Sequence, residues 1–153
     1  MEILGLAIVV VLLFLAVAFA IRFFLNENPI DFRAKFTSKV YASNGIDVFL
    51  DTTAEKCFQR DMTELLQNCA ESRSIICEDS KDSCEYVEST AESIFSSTLG
   101  KWNRKYEFRA YIKDNYNSPL VRVGEPCRGE KEQGLFPVPS SIGTIYVDLN
   151  TCL

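Results

Sequence analysis

Residues 3–21 read ILGLAIVVVLLFLAVAFAI, an uninterrupted apolar run that ends at Arg22. Further apolar residues then continue to Leu25, before the polar Asn26. At about 1.5 Å of rise per residue, a helix of this length nearly crosses a hydrocarbon core of about 30 Å. Because core helices of soluble proteins seldom stay apolar on every face, the run predicts a transmembrane helix rather than a buried one.

The rest of the chain predicts a separate, water-soluble domain. We expect an α+β fold, in which a long N-terminal apolar helix precedes a small head of helices and antiparallel sheet with disulfides. Residues 1–50 are predicted to form the apolar helix and an amphipathic stalk, kinked near Pro29 and weakened at Gly45. Residues 51–153 are predicted to form the head, which has a common size for one domain.

Local patterns predict the elements of the head. Asp61 with Glu64, and Asp82 with Glu85, are spaced as helix-capping pairs. The second helix carries an apolar stripe that predicts core rather than a cofactor site: Val87, Ala91, Ile94, Phe95, Thr98 and Trp102. Alternation predicts strands over residues 106–113, 120–123 and 144–149, whereas the prolines and glycines of residues 125–141 predict a long loop. We expect the stripe to pack on a sheet face that carries Phe108, Ile145 and Val147.

The cysteines all lie in the predicted head: Cys57, Cys69, Cys77, Cys84, Cys127 and Cys152. An even number in a small domain favours disulfides and an oxidising compartment. A metal site and six reduced thiols remain as alternatives, although the chain has no Cys-x-x-Cys pair and no histidine. Among the roughly 15 possible connectivities, we favour pairing of sequence neighbours. The favoured bonds are Cys57–Cys69, Cys77–Cys84 and Cys127–Cys152.

Charge and composition exclude several functions. The net charge of −5 and the scattered basic residues predict no nucleic-acid partner. Without histidine, neither a Ser-His-Asp nor a Cys-His arrangement can form, and no phosphate-binding glycine motif occurs. We therefore predict that the protein is not an enzyme and binds no cofactor. An acidic segment predicts a solvated loop, with a calcium site as the alternative: Glu78, Asp79, Asp82 and Glu85.

Two features of the sequence predict opposite locations for the head relative to the membrane. Basic residues follow the apolar run and none precedes it, which favours a cytoplasmic head under the positive-inside rule. The cysteines favour an extracytoplasmic head. We give the cysteines more weight and expect the head outside the cell.

In outline, the apolar helix, its continuation from Pro29 and a head closed by Cys127 and Cys152 resemble type IV pilin-like proteins. The stretches MEILGLAIVVVLLFLAVAF, TELLQNCA and CEYVE also resemble membrane-anchored archaeal proteins. The family's leader site, a basic residue and a glycine just before the apolar run, has no match in the printed sequence, and neither has its glutamate five residues into the mature chain. The resemblance implies a structural subunit that the membrane holds before assembly and that then polymerises with its own copies.

In such a filament the apolar helices would pack in the core while the heads face outward. Small residues that let helices approach closely, and the one charge at the end of the run, are the candidate assembly residues: Gly5, Ala7, Ala16, Ala18, Ala20 and Arg22. Arg22 could pair with Glu2 of another subunit. The alternatives are a single-pass membrane-anchored recognition or adhesion domain outside the cytoplasm and, third, an extracytoplasmic enzyme.

Overall fold

Two compact units divide the chain, residues 1–34 and 35–153. The computed structural model describes residues 2–26, 29–113 and 115–152. The second unit therefore takes in part of the segment predicted as stalk. It combines helices with two antiparallel sheets and three disulfides.

The N-terminal helices are α1 (Glu2–Asn26) and α2 (Pro29–Leu50). The predicted fold class is wrong in its leading element, because no helix in the described part of the chain is long and apolar enough to cross a membrane. The described apolar side chains of α1 run unbroken from Ala7 to Ile21. The predicted kink near Pro29 involves residues 27 and 28, which lie outside the described residues.

Helix α2 continues through its predicted weak point. Gly45 does not end the helix, since Ile46 and Phe49 on the following turn are buried and hold it in place. A two-stranded sheet follows, made of β1 (Thr53–Ala54) and β2 (Arg60–Asp61).

Both predicted capping pairs mark helix N-termini. Helix α3 (Met62–Glu71) begins after Asp61, whose side chain accepts a hydrogen bond from the Glu64 amide at 2.6 Å. Helix α4 (Ser83–Phe95) begins after Asp82, which forms a complete capping box with Glu85. A π-helix over Ser96–Gly100 extends α4 directly. These contacts are local in sequence, which is why the spacing alone predicted them.

A four-stranded antiparallel sheet completes the head, with the order β4-β3-β6-β5. Its strands are β3 (Tyr106–Ile112), β4 (Val121–Gly124), β5 (Lys131–Ser140) and β6 (Gly143–Cys152). The predicted loop over residues 125–141 is wrong over Lys131–Ser140, because this segment is strand β5 and pairs with β6 along its whole length. Strand β5 lies at the edge of the sheet, where Pro137 and Pro139 are tolerated because an outward-facing amide needs no partner.

The core lies between the helices and one face of this sheet, which we call the inner face. Phe49 of α2, Phe95 of α4 and Phe108 of β3 form its aromatic centre, with ring centroids 5.1–5.7 Å apart. The predicted packing of Phe95 and Phe108 in one core is confirmed, as is the burial of Val87, Ile145 and Val147. The predicted burial of Trp102 is wrong: the π-helix shifts the stripe after Phe95, and 57% of Trp102 is exposed.

Three disulfides staple the head, and their pairing corrects two of the three favoured bonds. The bonds join Cys57 to Cys77, Cys69 to Cys84 and Cys127 to Cys152. Cys57 and Cys69 do not pair because α3 carries the chain away from Cys57 and ends beside the first turn of α4, which holds Cys84. The Cys127–Cys152 bond is confirmed.

Candidate functional site

Helix α1 exposes apolar side chains on all of its faces. Phe14 is 73% exposed and Phe19 is 75% exposed. The other large apolar side chains described there are each exposed by at least 42%: Ile8, Val9, Val10, Val11, Leu12, Leu13, Leu15, Val17 and Ile21. Because these positions are consecutive, no single face of the helix is left polar. Apolar surface of this extent marks a site that another apolar surface covers.

All six candidate assembly residues lie on α1 and are exposed: Gly5, Ala7, Ala16, Ala18, Ala20 and Arg22. A side chain added at Gly5 would meet no heavy atom within 4 Å. A shallow recess on the helix is lined by Leu15, Ala18, Phe19 and Arg22. Arg22 forms no ion pair with any described residue. The side chain of Glu2, predicted as its partner in another subunit, lies outside the described residues.

The head carries a second apolar surface, a groove of about 280 Å³ between α2 and α4. We call it the α2–α4 groove. Gly45 and Val48 line it from α2, whereas Ile94 and Thr98 line it from α4 and the π-helix. Phe95 and Leu149 are at its floor, and Trp102 is at its rim. The sequence predicted the α4 side of the groove as closed core and the α2 side as stalk with a weak point at Gly45, and therefore missed the groove.

Gly45 and the π-helix both shape this groove. A Cβ atom at Gly45 would meet Leu149 at 3.4 Å and Phe95 at 3.9 Å, which are ordinary contact distances. Packing within the chain therefore does not require glycine, although glycine inside a helix costs roughly 0.5–1 kcal/mol relative to alanine. The opposite wall includes Thr98 and Leu99 of the π-helix, a conformation that is frequent at functional sites.

The outer face of the four-stranded sheet carries a buried charged cluster. Arg109 bonds to Asp148 through its Nη2 atom at 2.8 Å and through Nε at 3.3 Å. Gln133 and Asn150 also donate to the Asp148 carboxylate, at 3.2 and 3.3 Å. The ring of Tyr116 lies over the guanidinium, with its centroid 4.2 Å away. These contacts cover charges that a four-stranded sheet would otherwise leave in water.

The surroundings of this cluster favour the protonated forms of Arg109 and Tyr111. Burial alone lowers the pKa of Arg109, but hydrogen bonds to Asp148 and Tyr116, together with nearby carboxylates, raise it above its ordinary value. For the Tyr111 hydroxyl, whose charged form is the deprotonated one, burial raises the pKa. Both groups therefore stay protonated at neutral pH, and neither is tuned as a general base.

The acidic segment serves as a helix cap in this structure. Asp82 and Glu85 form the capping box of α4, and Asp79 pairs with Lys81 at 3.3 Å. The described residues contain no group of three or more cysteine or acidic side chains placed to hold a metal ion. The predicted solvated loop is thus partly a structural cap.

The cysteines bear on where the protein works. All six are in disulfides, four of them buried and Cys127 and Cys152 half-buried. Disulfides persist in oxidising compartments, which indicates an extracellular or secreted protein. In comparisons with known proteins, no family model, no curated protein and no solved structure matches this chain.

Proposed function

We propose that the chain is a structural subunit of a pilus-like extracellular filament, in which α1 helices pack together and the heads face outward. The observation that carries this proposal is the exposure of apolar side chains on every face of α1. A helix packed among several copies of itself needs apolar surface all around. A helix that packs on one partner needs only a stripe.

The magnitude of the available burial supports assembly. Covering eleven half-exposed large apolar side chains would contribute roughly 10 kcal/mol per subunit, at about 1 kcal/mol for each. Association costs on the order of 4–15 kcal/mol in lost freedom. The two terms are of similar size, so apolar burial on α1 can drive polymerisation when copies are concentrated. The small residues among these side chains reduce the distance at which helix backbones pack.

The disulfides suit the head to this role. The unit has three disulfides, each of which restricts the unfolded chain. Each bond thereby raises the free energy of unfolding by roughly 2–4 kcal/mol. A head stabilised in this way tolerates exposure on the outside of a fibre. In this proposal the membrane holds the chain before assembly, and no nucleic acid takes part.

The second candidate function is a recognition or adhesion domain that is held at the cell surface. The α2–α4 groove favours it, because concave surfaces lined mainly by apolar side chains are typical binding sites. The two functions differ in what covers α1. In a filament, α1 is covered by other copies of the chain, whereas in an anchored domain it is covered by lipid.

Electron microscopy of the full-length oxidised protein tests the proposal, with and without phosphatidylcholine vesicles. We expect helical fibres from the native chain. Ala16→Asp should abolish fibres by burying an unpaired charge, and Ser118→Asp, which adds the same charge to an exposed turn of the head, should not. Arg22→Ala should give fewer or shorter fibres while all three disulfides still form. A native chain that floats with vesicles and never forms fibres would overturn the filament proposal in favour of the anchored domain.

A further inference from the structure

One face of helix α1 presents an exposed aromatic side chain of a size that fits the α2–α4 groove. Leu15, Ala18, Phe19 and Arg22 are spaced at i, i+3, i+4 and i+7, so they lie on one face of α1. Phe19 projects from this face and is 75% exposed. The groove has a volume of about 280 Å³, whereas a dry apolar cavity of roughly 150 Å³ already holds a benzene ring. A phenylalanine side chain therefore fits it.

The two surfaces also have complementary charges. Asp47 on α2 and Asp51, which directly follows the last residue of α2, are both exposed. The Asp51 amide still donates to the Asp47 carbonyl at 3.1 Å, and each aspartate is three positions beyond a residue that lines the groove, Asn44 and Val48. Helical spacing places both carboxylates along the rim on the α2 side. Neither carboxylate has an ion-pair partner among the described residues, and the same holds for Arg22 of α1. A cation three positions from Phe19 would reach this rim when the ring enters the groove.

We propose that the α2–α4 groove of one copy receives helix α1 of a second copy, with Phe19 in the groove and Arg22 against Asp47 and Asp51. This inference rests on the filament function and names the contact between helix and head that the filament would use. Gly45 and Ala18 bring the two helix backbones close at the contact. The otherwise unexplained glycine within α2 is then explained by a partner that packs against it.

Photo-crosslinking within mixed fibres tests the contact. Copies that carry benzoylphenylalanine at Val48, which is 69% exposed, are assembled with copies labelled with ¹⁵N. We expect crosslinks from position 48 to the peptide containing residues 15–22 of a labelled copy. The same probe at Phe58, which is also 69% exposed but outside the groove, should not reach that peptide.

Charge reversal tests the pairing independently. Arg22→Glu and Asp51→Arg should each raise the critical concentration for assembly about tenfold, and the double variant should return it to within about threefold of the native value. Glu88→Arg reverses an exposed carboxylate of α4 that does not line the groove, and it should leave assembly unchanged.

The outcomes separate this inference from the filament function. Fibres whose crosslinks from position 48 map to another head, or to the same chain, would overturn the groove contact and leave the filament intact. Fibres in which the double charge reversal fails to restore assembly would overturn the pairing of Arg22 with the α2 rim. Absence of fibres from the native chain would overturn both proposals together.

Discussion

Arg109 and Asp148 lie directly opposite each other on strands β3 and β6 and form an ion pair in which both side chains are buried. Arg109 is 8% exposed and Asp148 is fully buried. Phe108, the neighbour of Arg109, packs on Phe49 in the core, so Arg109 points to the outer face of the sheet. The head thus has an apolar layer on one side of its sheet and a charged, hydrogen-bonded layer on the other.

The first prediction concerns this pair. Asp148→Ala should destabilise the head by about 3–5 kcal/mol, because it leaves the Arg109 guanidinium buried without its main partner. Lys105→Leu removes an exposed lysine that pairs with the exposed Glu125 at 3.5 Å, and it should cost only about 0–1 kcal/mol. Denaturant unfolding of the oxidised protein measures both changes.

A double replacement shows whether the stability of the head depends on the two charges or on the packing of the two side chains. Arg109→Leu with Asp148→Leu should recover most of the stability that Asp148→Ala loses, since apolar residues of similar size often replace a buried ion pair without cost. Equal losses of stability from Asp148→Ala and Lys105→Leu would contradict the buried pair.

The sequence could predict the strands that carry this pair but not the pair itself. In both strands the charged residues alternate with apolar ones, which predicts a solvated face. Whether such a face is covered depends on cross-strand register and on loop residues such as Tyr116, neither of which a single strand pattern contains. The helix caps were predictable for the opposite reason, because Asp82 and Glu85 are three residues apart and act locally.

Other features depended on contacts distant in sequence. Strand β5 was hidden by prolines that only an edge position tolerates, and the disulfide partners of Cys57 and Cys69 depended on how α3 packs on α4. The candidate assembly residues on α1 could be recognised from the apolar composition of that segment. The α2–α4 groove could not be recognised, because its α4 side has the pattern of closed core and its α2 side was predicted as stalk.

The second prediction concerns the contact of α2 with β5 at Gly134. A Cβ atom there would lie 2.6 Å from the backbone carbonyl of Ala42 and 2.8 Å from the amide nitrogen of Ser43. Because backbone atoms cannot rotate away, Gly134→Ala should cost about 1–3 kcal/mol. Gly129→Ala is the matched control, since a Cβ there meets nothing within 4 Å. The two variants should differ clearly in thermal unfolding, and equal melting temperatures would show that α2 does not pack on Gly134.

The third prediction concerns the order in which the disulfides are reduced. Cys127 and Cys152 are half-buried and line an open pocket with Lys105 and Arg128, whereas the other cysteines are buried. Attack by a thiolate requires access, so dithiothreitol should open the Cys127–Cys152 bond first. Alkylation followed by mass spectrometry should find these two cysteines modified while the other four stay protected.

Opening this bond should weaken the head without unfolding it. The bond joins residues separated by 25 positions, and loop closure of that length is worth about 3 kcal/mol. The control is to unfold the protein in denaturant before reduction, because all three bonds are then accessible and should be reduced at similar rates. Modification of all six cysteines at one rate in the folded protein would contradict the difference in access.

The fourth prediction concerns the pH at which Glu71 of α3 loses its contact with the turn between β5 and β6. The Glu71 carboxylate accepts a hydrogen bond from the Ser141 amide at 2.8 Å, and Gln67 donates to the Pro139 carbonyl at 2.7 Å nearby. Hydrogen bonds from the Ser141 hydroxyl and then from its amide lower the pKa of Glu71 below 4.5. The charged form is therefore the one that holds the turn.

The sign of the pH dependence follows from this lowered pKa. A carboxylate whose pKa falls on folding adds stability above its unfolded pKa and loses it as the pH drops through the folded pKa. The contact between Glu71 and Ser141 should persist at neutral pH and weaken only below pH 4.5. The amide chemical shift of Ser141 should follow this transition in ¹⁵N-labelled protein. Glu71→Gln should abolish the titration, while Glu88→Gln should leave it unchanged. A Ser141 transition centred above pH 4.5 would show that the carboxylate is not stabilised by this contact.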